Sequence, residues 1–271
     1  MSQIEISPGN ALHYAYTPPG AAGHTFVFVN ALTGSAAMWE DAIAPALRDA
    51  GFGTLGYNFR GQAESPFAPG VALDQPLIVE DLQRLLAEVA PPQPILVGLS
   101  IGGLFAAGAI LAGSPAAGLV LINTLRRAGP RIAWIADATL RAAEVGGLRL
   151  LMDLYMPLLV NEDRLEELRR DFLTEGDYQP LDSEEGHYKL LSHSRSADWD
   201  LPYEEFGLPT LVVTGLQDRV FFDAADVERL CSRLPQAERL DLPNAGHLVP
   251  VERPAETTRA LLDFGRRIAG R

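Results

Sequence analysis

A chain of 271 residues, 47% apolar and 21% charged, has ordinary globular composition and enough length for one large domain, or one domain carrying an insertion. Its formal charge of −13 excludes nucleic acid as a partner, because phosphate binding needs clustered Lys and Arg to displace counterions. One cysteine, Cys231, excludes an internal disulfide and demands no oxidising compartment, so a cytoplasmic location is expected.

The opening MSQIEISPGNALHYAY lacks a basic start followed by a long apolar core and reads as strand rather than signal peptide. Two short runs, 4–7 and 12–16, stand without a helix between them and predict an antiparallel start to a sheet. Apolar, β-rich runs follow at 25–30, 53–58, 94–99, 118–123 and 209–214, and helical periodicity appears at 36–50, 75–89, 101–112, 223–234 and 254–268. The stretch 95–113 approaches the length of a membrane span. Its glycines and the Ser-Pro that follows divide it, and a buried strand leading into a buried helix is equally apolar, so no membrane is implied.

Alternation of strand and helix predicts an α/β fold, a mostly parallel sheet with helices on both faces. Between 124 and 208 the alternation stops and the pattern is helical and amphipathic. The expected organisation is therefore a core of residues 1–124 and 209–271 with residues 125–208 inserted as a helical cap over the sheet's carboxyl edge, where open α/β sheets bind ligands.

The pentapeptide Gly98-Leu99-Ser100-Ile101-Gly102 fits G-x-S-x-G. It follows a predicted strand and opens a predicted helix, the setting a nucleophile elbow needs, and its glycines permit a sharp turn that raises the Ser100 hydroxyl above the sheet. The bland alternative is a tight turn with a structural serine. A serine hydroxyl needs a base to take its proton and an acid to orient that base. His247, in LPNAGHLVPVERP, lies in a loop between an apolar run and the last predicted helix, where a base reaches the sheet edge; alone it would read as a surface-loop histidine. His13 and His24 read as structural, and His187 and His193 fall in the cap. Asp218, in LVVTGLQDRVF, lies just past a predicted strand at the same edge as Ser100, although loop carboxylates are commonly turn formers. Asp223, the nearest rival acid, reads as a helix N-cap. An oxyanion hole needs the backbone N–H after the nucleophile and a second from the loop after an earlier strand. Those positions are Ile101 and, in VNALTGS, Leu32.

Ser100, Asp218 and His247 stand in α/β-hydrolase order, and GLSIGG, GLQD, NAGH and YNFRGQAES resemble that superfamily over almost the whole chain. Most relatives carry His-Gly where this chain has Asn30-Ala31, and Gly-His-Gly-x-Ser where it has GQAES. Within the superfamily, VNALTGSAAMW and VLINTLRRAGPRIAWIADATLRAAEVGG are similar to the 3-oxoadipate enol-lactonase group, whereas residues 152–199 lie outside that similarity. The resemblance implies a small lactone as substrate, with Asn30 and Trp134 as substrate contacts. Arg126, Arg127 and Arg131 follow a strand's carboxyl end, and Arg126 is the candidate to pair with a substrate carboxylate, solvated loop arginines being the alternative. Met152, Tyr155, Met156, Phe172, Tyr188 and Trp199 sit at helical spacing and are expected mostly in the core.

GFGTLG, residues 51–56, leaves a helix and enters a strand, the reverse of a dinucleotide fingerprint. Neither a phosphate loop nor metal-ligand spacing is present in the sequence, so no cofactor or metal is implied. A dehalogenase or epoxide hydrolase on this fold would need Asp at the elbow, which Ser100 excludes. The sequence predicts a cofactor-free serine hydrolase acting on a small-molecule carboxylic ester or lactone. C–C bond hydrolysis by the same three residues, and a receptor-like ligand binder with negligible turnover, are the alternatives.

Overall fold

The five longest apolar runs become the centre of an eight-stranded sheet. A computed structural model of the chain describes residues 2–124, 127, 129–173, 176 and 178–270. Strands β1 (Ser2–Ser7) and β2 (Asn10–Thr17) form the expected antiparallel hairpin. They are followed by β3 (Thr25–Val29), β4 (Gly53–Tyr57), β5 (Pro94–Leu99), β6 (Gly118–Ile122) and β7 (Thr210–Gly215). A further strand, β8 (Ala237–Leu242), pairs in parallel with β7 at the sheet's edge. The sequence reading left this segment as an apolar run only; Glu238, Arg239 and Asp241 interrupt its apolar character, as suits an edge strand that must not pair further.

The spatial order is β1-β2-β4-β3-β5-β6-β7-β8, with β2 antiparallel to β4 and the pairs from β4 to β8 parallel. Strands β3 to β7 are buried at every residue, because helices cover both faces. Side-chain alternation divides them: Phe26, Phe28, Ile95 and Val97 pack with Trp39, Ile43, Leu47 and Phe264 on one face. Val27, Val29 and Leu96 pack with Ile78, Leu82, Leu104 and Phe105 on the other.

The helix expected over 36–50 is two pieces, α1 (Ala37–Glu40) and α2 (Ile43–Asp49), because Ala42 leaves helical geometry at φ −143°. Helix α3 (Gln75–Val89) begins where Asp74 accepts a hydrogen bond from the Leu77 amide and ends at Ala90, in the left-handed region. Helix α4 (Ile101–Leu111) starts directly after Ser100. Between β6 and β7 lie α5 (Pro130–Leu159), α6 (Glu162–Leu168) and α7 (Gly186–Ser194). Helix α5 is bent at Gly146–Gly147, where Gly147 takes φ 71° and a Cβ would lie 2.1 Å from the Gln179 carbonyl oxygen. The chain closes with α8 (Ala224–Arg233), α9 (Val249–Glu252) and α10 (Pro254–Ala269). No helix among the described residues is long and apolar enough to cross a membrane.

Strand β3 lies between β4 and β5, so the connections leaving β3 and β4 run in opposite directions along the sheet. The carboxyl ends of β3 and β5 therefore flank a switch point, the place where α/β sheets form a crevice. The Ala31–Leu32 loop leaves one of these strands and Ser100 ends the other.

Candidate active site

Ser100 follows the buried strand PILVGL and has φ 56° and ψ −125°, a conformation that a side-chain-bearing residue adopts only under constraint. The constraint is visible on both sides. The Ser100 amide donates to the Ile122 carbonyl at 2.8 Å, and the Gly103 amide donates to the Ser100 carbonyl at 3.0 Å. A Cβ on Gly102 would lie 2.3 Å from the Val29 carbonyl oxygen, so this position must be glycine for α4 to approach β3. The Ile101 amide is in the first turn of α4, where N–H groups have no acceptor within the helix.

His247 and Asp218 are each 4% exposed, and His247 Nδ1 lies 2.6 Å from Asp218 Oδ2. The other Asp218 oxygen accepts from the Val220 and Phe221 amides at 3.0 and 2.9 Å, which fixes the carboxylate's plane. Phe221 then packs against the imidazole, ring centroids 4.7 Å apart. With Nδ1 bonded to a carboxylate, the imidazole's proton sits there and Nε2 is the free acceptor. Asp223 caps α8, its side chain accepting from the Ala225 and Asp226 amides, as its position in the sequence suggests.

The loops carrying these groups are held by buried polar side chains that sequence reasoning passed over. Asn123, at φ 46°, donates to the Gly246 and His247 carbonyls, both at 2.8 Å, and accepts from the Gly215 amide. Glu252, 3% exposed, accepts from the amides on either side of His247, Gly246 at 2.9 Å and Leu248 at 3.1 Å, and from Asn161 at 2.7 Å. The His247 amide itself donates to the Leu159 carbonyl, so the end of α5 and the histidine loop share one set of bonds. Gln62 donates to the Ala31 and Leu32 carbonyls at 2.8 and 2.9 Å while accepting from the Phe59 amide. It stands at the His position of the relatives' Gly-His-Gly-x-Ser pattern and sets the direction of the Leu32 loop. For Gln62 that motif position was the sequence signal; for Asn123 and Glu252 only burial would have marked them, and burial is not legible from local sequence.

Ser100, Ile101, His247, Leu32 and Phe221 open onto one cavity of about 550 Å³, whose remaining wall comes from α5, α7 and the segment after it. Among the described residues, no group of three or more His, Cys, Asp or Glu side chains is arranged to hold a metal.

Residues 24–254 match the family model of the alpha/beta hydrolase fold. The chain belongs to the α/β-hydrolase family. It is a hydrolase by that membership. It is 28% identical over 262 residues, covering 95% of this chain and 97% of the relative, to a Variovorax paradoxus protein that carries the name carbamate hydrolase RutD. Among solved structures it is similar to an esterase from Exiguobacterium antarcticum, at TM-score 0.82 and 16% identity over 98% of this chain and 99% of that one. It is also similar to the enol-lactonase from Burkholderia xenovorans LB400, at TM-score 0.76 and 24% identity over 94% and 96% of the two chains. At these identities the two structures establish the shared fold.

In this α/β-hydrolase the expected substrate contacts fare differently from Ser100, Asp218, His247, Leu32 and Ile101, which are brought to one place. Asn30 is fully buried behind the cavity: its amide donates to the Tyr57 carbonyl and its oxygen accepts from Trp39 Nε1. Its side chain joins β3, β4 and α1 and is not among the residues lining the cavity. Trp134 is 78% exposed. The first arm of α5 turns Ile132, Ile135, Ala136 and Thr139 to the cavity, a stripe at helical spacing that leaves position 134 on the outside. Met152, Tyr155 and Trp199 line the cavity instead. Arg126 lies outside the described residues. Arg127 is exposed and Arg131 donates to the Arg219 carbonyl at 3.0 Å. Neither His187 nor His193 is among the cavity's lining residues.

Proposed function

We propose that this α/β-hydrolase cleaves a carboxylic ester or small lactone through a Ser100-His247-Asp218 triad and an acyl-enzyme. The observation that carries the reading is a buried His247–Asp218 pair at 2.6 Å opening on the same cavity as a serine held at φ 56°. Ser100 Oγ attacks the substrate carbonyl as His247 Nε2 takes its proton, and Asp218 holds the imidazole in that tautomer and stabilises the imidazolium. The Leu32 and Ile101 amides receive the tetrahedral oxyanion. Its collapse expels the alcohol, which takes the proton from His247. Water then adds to the acyl-enzyme with His247 again as base, and collapse of this second intermediate releases the acid as His247 returns the proton to Ser100 Oγ. In this reading residues 1–124 and 209–271 form the catalytic core, and residues 125–208 form a cap over it. The relative's name makes a carbamate the second reading, since the same attack on a carbonyl would serve it.

A fluorophosphonate probe tests the nucleophile. Stoichiometric labelling that disappears in Ser100→Ala is expected; labelling that persists in Ser100→Ala, or none in the native enzyme, overturns the assignment. Turnover of simple esters and lactones, lost in Ser100→Ala, then separates a hydrolase of this class from one that releases only carbamates.

A further inference from the structure

The cavity over Ser100 has a chemical bias that the triad does not specify. Its deeper wall is apolar, with Ile135, Leu151, Met152, Tyr155, Leu159 and Trp199. Its polar side chains are mostly hydroxyls, of which Thr33, Thr139 and Ser192 are examples. Apart from His247, the lining includes one acid and one base among the described residues, Asp137 and Arg195. These two are ion-paired with each other, and their side chains are 60% and 46% exposed, which puts the pair at the cavity's mouth. Arg195 is thus already matched in charge, and nothing described on the inner wall can pair with a carboxylate.

A carboxylate carried into such a space without a partner is strongly disfavoured, whereas each buried methylene of a neutral chain gains about fourfold in affinity. At about 550 Å³ the space lies within the range of pockets that enclose whole drug-sized ligands, and a free carbamate would leave nearly all of it unfilled. We propose that the cavity selects an uncharged ester whose acyl arm is a medium-length aliphatic or aromatic chain, in preference to an acidic lactone or a small carbamate. This inference rests on the proposed serine-hydrolase reading of the same site. The bias reverses the resemblance to enol-lactonases, in which an acid group on the substrate would require a cationic partner. Arg126 is the sequence's candidate for that partner, and the test therefore includes it.

The experiment compares kcat/KM of the native enzyme for 4-nitrophenyl acetate, 4-nitrophenyl hexanoate and the mono-4-nitrophenyl ester of adipic acid, which carries a carboxylate in place of the terminal methyl of the hexanoyl chain. The hexanoate is expected to exceed the acetate by at least about tenfold, and the adipate to fall below the hexanoate by about a hundredfold. Met152→Arg, which puts a cation on the inner wall, is expected to narrow the second ratio. An adipate turned over as well as the hexanoate overturns the proposal, and if Arg126→Ala abolishes that turnover the partner is Arg126. A flat response to chain length also overturns it. Fluorophosphonate labelling in parallel keeps the two ideas apart: labelled enzyme that prefers the acidic ester sinks only the substrate class, while unlabelled enzyme sinks the triad and this inference with it.

Discussion

Around Ser100 and His247 the cavity wall is made of loops pinned by buried polar side chains, Gln62, Asn123, Asp218 and Glu252, each bonded to two or more backbone groups. Opposite them, α5 and α7 present apolar faces held by two small clusters around Leu151 and Met156. The difference follows from what each wall must do. In the proposed mechanism, proton transfer and oxyanion binding depend on positions held within fractions of an ångström, which directional bonds provide. An apolar wall only has to exclude water and fill space, so its residues can change without moving the catalytic groups.

The contrast can be broken from either side. Asp218→Asn should leave the fold intact and lower kcat about ten-thousandfold, because the imidazole loses its tautomer; retention of activity within about tenfold by steady-state kinetics would remove Asp218 from the triad. Glu252→Ala strands three amides, and denaturant titration should give a loss of about 2–4 kcal/mol. Its kcat should fall about ten- to a hundredfold with KM little changed, since the His247 loop shifts; unchanged kcat in the folded variant would mean that Glu252 only stabilises. In α5 and α7 the effects should be smaller. Burial holds half-buried His187 below the ordinary imidazole value of 6.5, so the unfolded chain binds more protons there than the folded one. Stability should therefore decline as pH falls through about 6.5 and below; His187→Gln should flatten that part of the Tm-against-pH curve, and an identical curve would discard the assignment. Trp134→Ala should stay within about 0.5 kcal/mol of the native enzyme, with turnover unaltered; a large rise in KM would return Trp134 to the substrate path.

Legibility followed the same division. The elbow was readable because a strand, a glycine-flanked serine and a helix are contiguous in sequence; Asp218 was a candidate because it lies just past β7, and His247 because its loop falls between an apolar run and the last helix. The break between α1 and α2 was not, since residues 36–50 keep helical periodicity across Ala42. Segment 237–242 reads as an apolar run, but Glu238, Arg239 and Asp241 keep it from reading as a buried strand until β7 is placed beside it. The placement of Trp134 and Asn30 was not legible for a common reason: a residue type can be expected near a site, but its facing depends on helix phase or on a partner far away in the chain. For Asn30 those partners are Tyr57 and Trp39, which no local pattern connects to it.

What the sequence determined by itself was the α/β alternation of the core strands and helices, the family, and Ser100, Asp218 and His247 as candidates at the sheet's carboxyl edge, because periodicity and short-range motifs are local properties. The tertiary structure alone decided that Gln62, Asn123 and Glu252 hold the loops of the site. It also decided that Met152, Tyr155 and Trp199 rather than Trp134 line the cavity that Ser100 opens on, and that Arg195 is neutralised by Asp137. Each of those outcomes depends on which groups distant in sequence become neighbours, and burial and pairing acquire their energies only once that neighbourhood exists.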